Sequence, residues 1–200
     1  MTKYINAYNN YKIDRDLVWQ LYLDLGINQL PININPICRM LNIQVKMCNM
    51  NGSGYTATLR KNEHVIFINK NESKGRQRFT CAHELGHILL KHTNAIGKLY
   101  RDPQKEDNLD ERDANVFASR LLAPAIILRD INATNAPQIA KICKISIQAA
   151  EFRAERLKLL LEREQIFLKR YNKSCFGLSP LERRVESQFK EFIEAYKGKL

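Results

Sequence analysis

Hydrophobic and polar positions along the chain predict an α+β protein. A first helix is expected over Leu17–Leu25, with Asp14 or Asp16 as its cap and Gly26 as its stop. Leu30–Pro36 then leads into a short helix over Pro36–Leu41, proline being tolerated in a first turn. Ile43–Met47 alternates apolar and polar residues as a half-buried strand does. After the turn residues Asn51-Gly52-Ser53-Gly54, two β-rich runs follow, Tyr55–Arg60 and His64–Asn69. Lys61-Asn62-Glu63 joins them as a hairpin. Helical periodicity takes over at Arg76–Lys91, and Asn94–Asp107 reads as a polar exposed loop containing Gly97 and Pro103. A second strong helix covers Leu109–Leu122 and is stopped at Pro124.

Beyond it, Ala136–Leu161 reads as two or three helices. The pattern breaks near Gly177-Leu178-Ser179-Pro180, and an amphipathic helix closes the chain with Leu181, Val185, Phe189 and Ile193 on one stripe. The expected architecture is a small twisted antiparallel sheet packed on a pair of helices, followed by a helical C-terminal region. Three regions follow: a core at 1–133, a helical region at 134–176 and a terminal helix at 177–200. There is no internal repeat and no low-complexity segment.

Composition narrows the class of protein. Two hundred residues suit one domain, or one domain with a small appendage, and are enough for a core without disulfides. The most apolar stretch, Leu121–Leu128, is only eight residues and contains Pro124, so no membrane partner is expected. The opening Met-Thr-Lys-Tyr-Ile-Asn leads into polar sequence rather than a secretory apolar run. Five scattered cysteines (Cys38, Cys48, Cys81, Cys143, Cys175), with no C-x-x-C, suit reduced thiols in a cytoplasm. Net charge is +11, most dense in 134–200, which carries 14 Lys/Arg against 8 Asp/Glu. Such a balance suits nucleic acid or an acidic partner surface, and equally plain solubility.

The chemistry lies in His83-Glu84-Leu85-Gly86-His87. Residues i and i+4 share a helix face, so both imidazoles can reach one metal ion. Glu84 lies about 100° round the helix, where a carboxylate can serve as general base without being a ligand. Zinc in a hydrolase takes three protein ligands, so a third must come from an element packed against this helix. Glu111, with 23 residues between it and His87, is the leading candidate on the second helix, with Asp113 as its competitor two residues off that face. Asn115, one turn after Glu111, can hydrogen-bond a ligand imidazole and fix its tautomer. Cys81 falls on a different face from His83 and is not counted as a ligand. His92, Tyr100 and Arg101 are nearby candidates for stabilising an oxyanion, each more often a surface or packing residue. His64 reads as a strand-edge residue.

Arg78-Phe79-Thr80-Cys81-Ala82-His83-Glu84-Leu85-Gly86-His87, followed by Glu111-x-x-Ala114-Asn115-x-Phe117-Ala118-x-x-Leu121-Leu122-x-Pro124, resembles the ImmA/IrrE family of metallo-endopeptidases. The strand Ile66-Phe67-Ile68-Asn69 and the turn Gly52-Ser53-Gly54 are also similar to that family, and the likeness covers roughly residues 15–160. Ala123 stands before Pro124 where the family often has Met. The resemblance implies a gluzincin-like fold, Zn2+ bound by His83, His87 and Glu111, and Glu84 as the base. It further implies a cytoplasmic protein of bacteria, phages or mobile elements. Its implied substrate is a specific protein, often a helix-turn-helix repressor. An extended substrate could add itself to the strand at 64–69.

Two other classes stand beside this reading. Gln138–Ser146 followed by Ala149–Arg153 has a weak helix-turn-helix cadence, with Ala140 at the tight position and Lys144 at the turn, which would make the chain a DNA-binding regulator. A regulator that holds zinc but cuts nothing would carry the same ligands.

Overall fold

The computed structural model describes residues 15–60, 63–92, 97–98, 109–171 and 178–197. It divides into two compact units. One comprises Ile32–Leu122 with the chain up to Val18; the other comprises Trp19–Pro31 and Ala123–Leu200. The units divide at Leu122, and residues 19–31 group with the C-terminal helices. The first helix, α1 (residues 15–24), explains this. Its Tyr22 is fully buried against Phe189, with ring centroids 5.6 Å apart. Asp16 lies inside α1 beside Arg15 rather than capping it, and Asp14 lies outside the described residues.

The first unit is a mixed sheet with three helices. Helix α2 (Ile34–Met40) begins two residues earlier than expected, placing Pro36 third, where its missing N–H costs no hydrogen bond. Strands β1 (Gln44–Cys48), β2 (Gly54–Arg60), β3 (Glu63–Asn69) and the two-residue β4 (Gly97–Lys98) lie in the order β1-β3-β2-β4. The expected β2–β3 hairpin is antiparallel, with Tyr55 stacked on its register partner Phe67. An all-antiparallel sheet is not what forms, because β1 pairs with β3 and runs parallel to it. The connection between β1 and β2 crosses the end of β3 instead of closing a hairpin. Asn69 fixes that crossing: its side-chain amide donates to Met50 O at 3.0 Å and Gly52 O at 2.8 Å. Of the expected polar loop 94–107, only Gly97–Lys98 lies within the described residues, and it pairs with Ala57 and Thr58.

Helix α3 (Lys74–Leu89) starts at Ser73, whose hydroxyl accepts from Arg76 N. Gln77, buried in its first turn, donates to the carbonyls of Asn69, Lys70 and Glu72 and ties the helix to the end of β3. Helix α4 (Leu109–Leu122) has the bounds the periodicity gave. Ala114, Phe117, Ala118 and Leu121 on α4, Ala82 and Leu85 on α3, and Ile66 on β3 are all fully buried.

The second unit is helical: α5 (Ala125–Asp130), α6 (Ala136–Cys143), α7 (Ile147–Tyr171), α8 (Pro180–Gln188) and α9 (Lys190–Tyr196). Helix α7 runs ten residues past the expected end at Leu161. The single closing helix is two, meeting at Phe189, yet Val185, Phe189 and Ile193 keep one buried stripe. Ser179 and Glu182 form a reciprocal capping box that starts α8. Gln188 donates to Tyr22 O at 2.8 Å and Ile27 O at 2.6 Å, pinning the turn after α1. Among the described residues, no helix is long and apolar enough to cross a membrane.

Burial pushes the Tyr22 phenol well above its ordinary pKa, with Cys143 adding to the rise. Ionisation is then easier in the unfolded chain, so stability is intact below the unfolded value near 10 and falls as pH rises beyond it. Tyr22→Phe should lose stability less steeply than wild type between about pH 9 and about pH 11, read from urea midpoints. Equal slopes would mean that the phenol is hydrated.

Candidate metal centre

Two helices of the first unit converge on one point. Helix α3 supplies His83 and His87, whose Nε2 atoms are 3.0 Å apart. Helix α4 supplies Glu111, with Oε2 3.3 Å from His83 Nε2 and Oε1 3.2 Å from His87 Nε2. Among the described residues, these three side chains form the one group of His, Cys, Asp or Glu placed to hold a metal ion. Asp113, the competing carboxylate, is outside the group and lies 3.7 Å from Arg112 Nε.

The approach of α4 to α3 depends on small residues. A Cβ built at Gly86 would lie 3.0 Å from Phe117 Cδ1 and 3.3 Å from Ala114 Cα. Glycine inside the H-E-x-x-H turn therefore lets α4 come close enough for Glu111, one turn before Ala114, to reach both rings. The strand side is equally tight. A Cβ at Gly54 would meet Thr80 Cγ2 at 2.5 Å and Phe67 O at 2.6 Å, so β2 lies directly against α3.

That contact brings Thr56 to Glu84. The threonine hydroxyl donates to Glu84 Oε2 at 2.9 Å, and both residues are buried, 1% and 2% exposed. Nothing in the sequence linked two residues 28 apart; the only signal was that Thr56 takes the same face of β2 as Gly54. Asn115 behaves as its spacing suggested, with Oδ1 2.9 Å from His83 Nδ1. An amide oxygen only accepts, so His83 carries its proton on Nδ1 and presents the Nε2 lone pair to Glu111. At neutral pH the part-exposed Glu111 carboxyl is anionic, and both imidazoles face it.

The donor set fits a divalent cation. A lone pair on His83 Nε2 and an anionic carboxylate, about 3 Å apart, repel unless positive charge lies between them. Tetrahedral zinc with bonds of about 2.0–2.1 Å has ligand atoms about 3.3 Å from one another, close to the three distances here. Two nitrogens and one oxygen also suit zinc by ligand type.

Other residues singled out in the sequence fall elsewhere. Cys81 Sγ lies 4.0 Å from Cys38 Sγ, away from the cluster. Cys38, Cys48, Cys81 and Cys143 are free thiols, and Cys175 lies outside the described residues. His64 Nδ1 is 3.1 Å from Thr58 Oγ1, its register partner across the hairpin. Tyr100 and Arg101 lie outside the described residues. His92 Nδ1 is 3.1 Å from His87 Nδ1, a contact at the back of the ring rather than at the cluster.

Comparison with known proteins gives two matches. Residues 38–155, more than half of the chain, match the family model described as the IrrE N-terminal-like domain. A stretch of 103 residues is 33% identical to the radiation response metalloprotease IrrE of Deinococcus deserti. That alignment covers 50% of this chain and 37% of the relative, so the chain spans well under half of that protein's length.

Gly86→Val should force α3 and α4 apart. The expected loss is about 1–3 kcal/mol of stability from overpacking, read from urea midpoints, together with weaker binding of added Zn2+ in a dye competition. Unchanged stability and metal binding would show that the helix contact does not set the site.

Proposed function

Because the chain belongs to the IrrE N-terminal-like domain family, we propose that it is a zinc endopeptidase cutting a specific protein substrate. The observation that carries this is the meeting of His83, His87 and Glu111 beside a buried Glu84 held by Thr56. The chain supports metalloprotease chemistry by family and by donor set; the substrate is our inference. We take it to be a helix-turn-helix repressor of a phage or mobile element, as the motif resemblance implies.

His83, His87 and Glu111 would hold the cation, which when bound supplies the Lewis acidity that makes water nucleophilic near pH 7 and polarises a carbonyl. Glu84 takes the proton from the attacking water as the new C–O bond forms. It then delivers that proton to the amide nitrogen as the C–N bond breaks, so one water is consumed and one carboxylic acid and one amine are released. Thr56 keeps the Glu84 carboxylate aimed through both transfers. Two neutral imidazoles and one carboxylate would leave the ligand set net positive around a dication, and Glu84 becomes neutral on taking the proton, which together favour a developing oxyanion.

Substrate docking differs from the sequence expectation. Strand β3 is flanked by β1 and β2 and cannot accept another strand at 64–69. The outer edge of β2 is the better platform. Among the described residues it is paired only at Ala57 and Thr58, leaving Gly54–Thr56 beside Glu84. An extended segment adding there would run past the general base.

The DNA-binding alternative gains less support. Helices α6 and α7 are joined by three residues with Lys144 left-handed at φ 53°, a compact helical turn. The exposed face of α7 nevertheless begins with the uncharged Ile147 and Gln148 and then mixes Glu151 and Glu155 with Arg156 and Lys158, not the basic stripe that phosphates favour.

Co-expression of the protein with a neighbouring helix-turn-helix repressor tests the reading. Wild type should leave a cleaved repressor and Glu84→Gln an intact one, with the cleavage rate down by about 10²–10⁴ and bound zinc unchanged. Thr56→Val should retain zinc and cut about tenfold more slowly, as expected for one hydrogen bond to a charged group. Equal derepression by wild type and Glu84→Gln, with no cleaved product, would make the protein a binding regulator.

A further inference from the structure

His87 has a partner behind it that the proposed chemistry does not use. The C-terminal turn of α3 is closed by Lys91 in the left-handed region, at φ 62°. His92 N donates back to His87 O at 2.9 Å, and Lys91 N to Ile88 O at 3.1 Å. This closure normally places glycine at the left-handed position. A lysine there accepts backbone strain, and the turn folds the next residue over the last helical turn. The result is the 3.1 Å approach of His92 Nδ1 to His87 Nδ1. On its far side, His92 Nε2 lies 3.7 Å from Asp110 Oδ1, on the residue just before Glu111.

We propose that Asp110 and His92 together fix the tautomer of His87, making His92 a positioning residue for the metal ligand. The reasoning runs from charge. Asp110 accepts only, so it favours the His92 tautomer with its proton on Nε2. His92 Nδ1 then carries a lone pair and must accept from His87 Nδ1–H. With its one proton on Nδ1, His87 turns the Nε2 lone pair toward His83 and Glu111, as a metal ligand must. The reverse order would set a His92 lone pair against a carboxylate and point His87 Nε2–H into the cluster. His83 receives the same service from Asn115, so each imidazole is oriented by its own acceptor. This gives His92, one of several residues weighed in the sequence for an oxyanion role, a positioning role instead, and it rests on the metal-centre reading.

The test uses the full chain, stripped of metal and titrated with Co2+ in competition with a chelator, its visible absorption reporting ligand geometry. His92→Phe should bind Co2+ about 10–100-fold more weakly than wild type. His92→Gln, which keeps an acceptor oxygen, should recover most of that loss. Asp110→Asn should weaken binding in the presence of His92 and have no effect in the His92→Phe background. An equal effect in both backgrounds would reduce Asp110 to simple attraction of the cation and overturn the chain of tautomers. Affinity unchanged in His92→Phe overturns the proposal outright. Should phenylalanine lower the melting midpoint of the metal-free protein, His92→Met gives the same comparison with a flexible side chain. A wild type that takes up no Co2+ would sink the metal-centre reading itself, a failure distinct from the others.

Discussion

The contact between Gly86 and the face of α4 bearing Ala114 and Phe117 governs the rest of the first unit. Side chains on two helices can bring donor atoms within 3.3 Å only if the axes come close, and any larger residue at 86 would hold them apart. The same contact exacts a cost. It places His83, His87 and part of Glu111 in an apolar interior, where unpaired polar groups are destabilising by several kcal/mol. Hydrogen bonds to Asn115 and His92 offset part of that cost, and a cation would offset more.

The sheet completes what the helix pair begins. Gly54 lets β2 lie on α3, so Thr56 rises beneath Glu84 while α4 approaches from the other side. The proposed base and the candidate ligands are thus set by three elements. Asn69 and Gln77 lock β3 to both its neighbours in sequence: Asn69 holds the crossing from β1, and Gln77 holds the start of α3. Displacing this end of β3 would move β2 against α3 and shift Thr56. Rigid placement of this kind matters because a general base misplaced by about 1 Å can lose a hundredfold in rate.

The site was more legible than the sheet. Helices α3 and α4, the hairpin and the stop at Pro124 follow from periodicity and from local stop signals, which act over a few residues. Glu111 and Asn115 could be found because i and i+4 share a face. Pairing of β1 with β3 could not, since alternation marks a strand without naming its neighbour. The placement of α1 with the C-terminal helices was hidden for the same reason: Tyr22 meets Phe189 across 167 positions. Thr56 left no signal toward Glu84 beyond sharing a strand face with Gly54. The left-handed Lys91 was invisible because glycine or asparagine is the residue that announces such a turn.

These features bear on why an H-E-x-x-H helix so often holds no metal. The motif guarantees only that two rings share a face; it does not say which nitrogen of each ring presents a lone pair. That choice belongs to whatever lies behind the rings. Here the acceptors are an amide on α4 behind His83 and, behind His87, an imidazole delivered by the terminal turn of α3 itself. A helix with the same five residues but with solvent behind its rings would leave both tautomers populated and the donor atoms unaligned. The discriminating information is therefore tertiary, and it lies at residues 92, 110 and 115 as much as at 83, 87 and 111.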